Sequence, residues 1–281
     1  MRTFLILSIC CVGHCASILF VGDSTARYLY HDALIQHCDV AVQTYVDFAS
    51  IVPKNPEYKT FSGYETFASA SCKSGSKYHG IGYFLHWGVF PQPYHTGWET
   101  HKINGYPGEE LPDLNTTLSI QTALQTWTAM NKGSKIIVFY SNLWDTLRYL
   151  DIFKTTKTYE DHMKEYNIAF ESMLNNAIFP FVDKKTTLIL QTTQIPRDDD
   201  KKVLTIIHNH IIRNIASRHG LKLLDVDEML YGSNSKMYLL DSTHQNQQTS
   251  KNIVLLLDSI LNNRQDRRIR SRSSEIPHHI K

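Results

Sequence analysis

The feature that most constrains this chain is its alternation of short apolar runs with helical stretches. Ile18-Leu19-Phe20-Val21 reads as a buried strand, and Thr25 to Gln36 follows as a helix. Val40 to Tyr45 reads as a second, weaker strand. After a long break come a helix over Leu118–Met130, a strand over Lys135–Tyr140 and a helix over Tyr159–Ile178. Met163, Tyr166, Ile168, Phe170 and Met173 offer that last helix one broad apolar face. A strand over Thr187–Gln191, a helix over Val203–Arg218 stopped by Gly220, a strand over Leu221–Asp225 and a helix over Ser250–Leu261 complete the series. Strands alternating with crossover helices predict a parallel sheet covered on both faces. The expected fold is therefore α/β: a three-layer α/β/α sandwich around a five-stranded, flavodoxin-like parallel sheet. Its site belongs at the carboxyl ends of the strands.

The break in the alternation, about 46–112, is rich in Gly, Pro, His and aromatic residues, and part of it, Ile81–Val89, resembles short antiparallel strands. It reads as an insertion, and long insertions in α/β folds tend to carry function. With 281 residues, 42% of them hydrophobic, the chain can bury one large core over 18–263.

Both ends differ from this body. Met1-Arg2, the apolar run Phe4–Val12 and the small residues before Ser17 have the pattern of a signal peptide over 1–17, with cleavage near Cys15–Ser17. That apolar run is too short to span a bilayer, and no later stretch is long and apolar enough. The expected location is thus outside the cell or in the secretory lumen. Of five cysteines, three go with the signal, which leaves Cys38 and Cys72 to form a disulfide or stay as buried thiols. Asn115-Thr116-Thr117 is the one glycosylation sequon. The stretch 264–281 concentrates six basic side chains against Asp266 and Glu275 and reads as a solvated, flexible tail. The rest of the chain carries no basic excess of the kind nucleic-acid binding requires.

Three polar features fall at strand ends. Gly22-Asp23-Ser24 closes the first strand and sets Ser24 at a helix start, where unpaired N–H groups favour negative charge. Ser24 there is either a helix cap or a nucleophile. A serine nucleophile needs a base, and the base an orienter. Of 17 aspartates only Asp241 has a histidine three residues on, His244, and this loop follows the last strand. The third feature, Ser141-Asn142, puts an amide where it could donate to an oxyanion, or simply form a turn. Histidines 79, 86, 95 and 101 lack tight metal-ligand spacing, so no metal or other cofactor is expected.

Taken together, "FVGDST", "VFYSNLWD" and "DSTH" resemble the nucleophile, asparagine and terminal Asp-x-x-His blocks of the SGNH (GDSL-type) hydrolase superfamily. The resemblance implies Ser24 as nucleophile, His244 as base, Asp241 as its orienter, and an oxyanion hole from Ser24, Asn142 and a loop glycine. Gly105 is the first candidate for that glycine, with Gly108, Gly82 and Gly88 as alternatives. Thr25 stands where the GDSL signature has leucine, and Asn142 lacks the usual Gly-x-Asn-Asp context. With "FLHWGVFP" added, the chain looks like the PC-esterase group, which includes trichome-birefringence-like polysaccharide O-acetyltransferases. That implies an O-acylated carbohydrate as substrate, most simply an O-acetyl ester, and either hydrolysis or acyl transfer. Arg27, Trp87 and Trp98 are candidates to contact it, with Tyr83, His86, Tyr94 and Tyr106 nearby in sequence. Arg27 is equally a surface arginine, and the aromatics equally a small core under a loop. A non-catalytic, secreted glycan-binding protein on the same fold is the rival reading.

Overall fold

In the computed structural model, residues 16–46, 67–85, 88–89, 116–142, 145–146, 149–150, 157–232, 235–241 and 244–273 are described. Among the described residues seven strands form one sheet: β1 (Ala16–Gly22), β2 (Val40–Val46), β3 (Phe67–Cys72), β4 (Tyr78–Leu85), β5 (Lys135–Phe139), β6 (Thr186–Gln191) and β7 (Lys222–Leu224). The helices are α1 (Ser24–His37), α2 (Thr116–Met130), α3 (Tyr159–Met173), α4 (Asp199–Arg218), α5 (Val226–Leu230), α6 (Ser235–Tyr238) and α7 (Gln247–Ser273). Across the sheet the order is β2-β3-β4-β1-β5-β6-β7. The strands from β4 to β7 in that order run parallel, while β2 and β3 are antiparallel at one edge.

The α/β architecture is as expected, but the sheet has seven strands rather than five: β2, expected among the parallel strands, pairs antiparallel with β3 at the edge, and β4 lies beside β1. The composition of the two strands explains this. A strand in the middle of a parallel sheet is buried on both faces. β4 supplies Tyr78, Ile81, Tyr83 and Phe84, all buried. β2 alternates valine with Gln43 and Thr44, and Val42 stays 61% exposed, which suits an edge. The stretch expected to be an insertion therefore builds part of the sheet itself.

Successive residues of β1 serve opposite cores, as strand geometry requires. Leu19 and Val21 join Ile137 and Phe139 under α2, α3 and α4. Ile18 and Phe20 join Ile136 and Val138 under α1 and α7. Each fully buried side chain of this size contributes about 1.5–3 kcal/mol. The result is the expected three layers, with the carboxyl ends of β4, β1, β5, β6 and β7 together at one rim.

Local details refine the helices. A capping box of Thr158 and Asp161 starts α3. Its buried face is His162, Tyr166, Phe170 and Met173, whereas Ile168 is exposed. Past Met173 the chain continues as a π-helical turn over Leu174–Ile178. Gly220 ends α4 with φ +61°, a left-handed conformation that favours glycine.

Cys38 and Cys72 form a disulfide, with Cα atoms 5.1 Å apart, that joins the exit of α1 to the end of β3. β1 already includes Ala16 and Ser17, and Ser17 N–H donates to Ser134 at 2.9 Å. Only cleavage ahead of Ala16 would leave that strand whole. α7 carries its backbone to Ser273, so the basic stretch expected as a loose tail from 264 begins as helix. Asn115 lies outside the described residues. No helix among the described residues is long and apolar enough to cross a membrane.

Candidate active site

The corner after β1 is built around Asp23. This residue caps α1: its Oδ1 accepts from Thr25 N–H and from Thr25 Oγ1, each at 2.8 Å, and from the Tyr140 hydroxyl. Capping thus belongs to Asp23, and a cap does not account for the hydroxyl at 24. Ser24 is the first helical residue, where backbone N–H groups have no intrahelical partner and the dipole favours an anion. Its side chain lies outside the described residues. Gly22 is required by close approach: a Cβ there would lie 2.2 Å from Tyr140 Cε1, on a ring held by its bond to Asp23. Burial raises the Asp23 pKa, opposed by the hydrogen bonds of Tyr140 and Thr25 and by the charge of His244. Burial, then the Asp23 charge, pushes the Tyr140 hydroxyl well above its ordinary value, so it stays a donor.

The second piece is the loop between α6 and α7. Asp241 Oδ2 meets His244 Nδ1 at 2.7 Å, and Asp241 Oδ1 accepts the His244 backbone N–H at 2.7 Å. A spacing of three lets one carboxylate hold both groups. The loop is closed by Leu240 N–H to His244 carbonyl at 2.7 Å and Asn246 N–H to Tyr238 carbonyl at 2.9 Å. With Nδ1–H on a carboxylate, Nε2 is the basic nitrogen. The loop docks on the first turn of α1. Gln245 Nε2 donates to Thr25 carbonyl, and the Tyr28 ring meets His244 edge-on at 5.9 Å. The structure therefore brings Asp241 and His244 to the helix start that Ser24 opens.

The third piece follows β5. Tyr140 N–H donates to Val21 carbonyl at 3.0 Å, which lays the β5 exit beside the Gly22 corner. Asn142, 1% exposed, comes next. Its Nδ2 donates to Asn209 Oδ1 at 3.3 Å, and its Oδ1 faces Thr146 Oγ1 at 3.0 Å and His208 Nδ1 at 3.1 Å. Burial, and then the neighbouring His162, hold the His208 pKa well below the usual imidazole range.

Among the glycine candidates, Gly105 and Gly108 lie outside the described residues. Gly82 sits inside β4, where a Cβ would be 3.1 Å from Ala68 carbonyl and Leu19 Cδ1, so it serves packing. Gly88 is buried, has φ +116°, and lies just past β4, whose Leu85 pairs with Gly22. Next to it, Val89 N–H donates to Asp145 Oδ1 at 3.0 Å, and Asp145 Oδ2 accepts Ser141 Oγ at 2.5 Å. Asp145, wholly buried, thereby ties the segment after β4 to the segment after β5 on either side of β1.

Of the expected substrate contacts, Arg27 lies with its guanidinium 6.0 Å from the ring of Tyr28, the residue whose ring meets His244. Trp87 and Trp98 lie outside the described residues. Tyr83 belongs to the core, its ring 5.0 Å from that of Tyr30. Among the described residues no three His, Cys, Asp or Glu are grouped to hold a metal ion. Sequence reasoning missed Asp145, His162, His208 and Asn209. The signal was there: His162 precedes Tyr166 and Phe170 at four-residue steps, and His208-Asn209 interrupts an isoleucine face. A polar residue at a core position must find a partner.

No protein-family model matches the chain, and comparison with curated proteins found no match. Solved structures similar to it include a lipolytic protein of the G-D-S-L family from Veillonella parvula, at 11% identity over 88% of this chain and 98% of that one, TM-score 0.43. Another is LAE5, an alpha/beta hydrolase enzyme from the metagenome of Lake Arreo, Spain (13% identity, 87% and 94% covered, TM-score 0.44). A third is an acetylxylan esterase from Geobacillus stearothermophilus (14%, 89% and 92%, TM-score 0.41).

Proposed function

We propose that the protein is a secreted, serine-dependent SGNH-type esterase or acyltransferase of the PC-esterase kind, acting on O-acyl esters of carbohydrates, O-acetyl esters first. The observation that carries this reading is a histidine locked by Asp241 and docked, through Gln245, on the residue next to Ser24.

In the proposed reaction His244 Nε2 takes the proton of Ser24 Oγ as that oxygen attacks the ester carbonyl. Asp241 holds Nδ1 and stabilises the imidazolium that forms. The N–H groups of Ser24 and Asn142 and of the Gly88 segment bind the developing oxyanion. Donors of this type are worth about 3–4 kcal/mol each. Gly88 is the glycine used here because its segment flanks β1, and Gly105 lies outside the described residues. The tetrahedral intermediate collapses, the sugar oxygen leaves with the proton from His244, and an acyl-serine remains. Water or a second sugar hydroxyl, deprotonated by His244, then releases the acyl group. Arg27 with Trp87 and Trp98 would contact the carbohydrate. Export fits this reading, because an oxidising compartment suits the Cys38–Cys72 bridge.

A fluorophosphonate probe tests the proposal. Wild type should be labelled and should release acetate from acetylated oligosaccharides, or pass it to an added acceptor sugar. Ser24→Ala and His244→Ala should lose labelling while keeping the wild-type Tm within a few degrees. A folded wild type that takes no label would favour a glycan-binding role.

A further inference from the structure

Behind the carboxyl end of β5 runs a chain of buried polar groups with a single possible polarity. It starts at Thr193, just past β6. Thr193 N–H donates to Asn209 Oδ1 at 2.9 Å, and Asn209 Nδ2 donates to Thr193 carbonyl at 2.8 Å. A side-chain amide that meets both groups of one residue has one orientation, because a half-turn would set donor on donor and acceptor on acceptor. Asn209 therefore presents Oδ1 to Asn142, and Asn142 answers with Nδ2.

The same logic continues inward. With Nδ2 turned to Asn209, Asn142 Oδ1 faces His208 Nδ1 and Thr146 Oγ1. An amide oxygen only accepts, so His208 carries its proton on Nδ1, where Thr146 Oγ1 also lies within 3.3 Å. Its Nε2 then accepts, and His162, whose Nε2 lies 2.9 Å away, donates to it. Tyr166 stacks on the His208 ring at 3.9 Å and 16°. Asn142, His162, His208 and Asn209 are all buried, so bulk water offers them little competition.

This order has a consequence at the proposed site. Asn142 Nδ2 has two hydrogens, and among the described residues it donates one, to Asn209. Because both ends of the amide are held, the direction of the second hydrogen is fixed as well. We infer that His208, backed by His162, is a positioning residue that holds the Asn142 amide in the orientation in which its second N–H serves the oxyanion. The inference rests on Asn142 being an oxyanion donor, and the test separates the two. His208 acts through Asn142 and touches no reacting atom.

Steady-state kinetics with 4-nitrophenyl acetate provide the test. Asn142→Ala should lower kcat by about 100-fold or more, the usual effect of losing such a donor. His208→Phe keeps a ring to stack on Tyr166 and removes the donor, and should lower kcat about 10-fold with KM unchanged. In the Asn142→Ala background the same change should add nothing. His208→Asn puts an amide N–H near the Nδ1 position and should recover most of the rate, whereas His208→Gln, whose amide reaches the Nε2 position, should not. If Asn142→Ala leaves kcat intact, the oxyanion assignment falls and the positioning role with it. If Asn142→Ala is slow but His208→Phe costs the same factor in both backgrounds, the oxyanion assignment stands and the positioning role is overturned. Equal rates for the Asn and Gln variants overturn it too, even if the Phe variant does not fold.

Discussion

Gln245 Nε2 donates to the carbonyl oxygen of Thr25 at 3.4 Å, across 220 positions of sequence. Each of the two residues adjoins a member of the proposed triad. The bond therefore couples the base loop to the nucleophile turn without using either reacting side chain. Gln245→Ala should cost about 1 kcal/mol of stability, the usual net value of one hydrogen bond. We expect it to lower kcat about 10-fold, because the His244 loop loses its tether. Urea unfolding and steady-state kinetics on one preparation would check both. An unchanged kcat would show that the loop holds its place by other means.

Asp241 holds His244 by ring and by backbone. Asp241→Asn keeps the size and changes the hydrogen bonding at Nδ1, which disturbs the tautomer required of a base. We expect kcat to fall at least about 100-fold, with a Tm close to wild type since the Asp241 side chain is 52% exposed. Measuring kcat beside a melting curve separates this from misfolding.

His208 predicts an acid limit on stability. Burial holds its pKa below the ordinary imidazole value. Between the folded pKa and about 6.5, the unfolded chain binds a proton that the folded chain does not, so stability rises with pH in that window. The contribution is fully present above about pH 6.5 and is lost as pH falls below it, at up to about 1.4 kcal/mol per unit. His208→Asn should show a correspondingly flatter profile in urea titrations between pH 7 and 5. Parallel profiles for the two proteins would contradict this.

The Cys38–Cys72 bridge closes a sequence separation of 34 residues. Chain-entropy arguments give about 3–4 kcal/mol for a loop of that size. The Cys38→Ser, Cys72→Ser double variant should unfold at a clearly lower temperature by calorimetry, and wild type treated with a reductant should match it.

What the sequence disclosed depended on how local each requirement is. An Asp and a His three residues apart can meet within one loop, and Gly-Asp-Ser after an apolar run marks a strand-to-helix corner. Both were therefore readable. That Asp23 rather than Ser24 caps α1 was not, because either residue type serves as a cap and the choice falls to Tyr140, 117 positions away. That β2 pairs antiparallel at the edge was not readable, because its own pattern does not name its neighbour, while burial on both faces selects β4 for the place beside β1. Ile168 fits the apolar pattern of α3 and His162 breaks it, yet the exposed residue is Ile168. The reason is a polar partner on α4, and helical periodicity carries no information about a facing helix.

The position of β1 between β4 and β5 also sets an order of assembly. Ile18 pairs in register with Ile81 on one side and Ile136 on the other. As the chain is synthesised, β1 emerges before β4 and β5, and it cannot gain both neighbours until Phe139 has followed. Until then its apolar residues and open hydrogen-bonding edges are available to other nascent chains. The long-range pairing on both sides makes folding slow relative to a chain of local contacts. The strand that delivers Ser24 is thus one whose pairing waits on segments more than a hundred residues further along the chain.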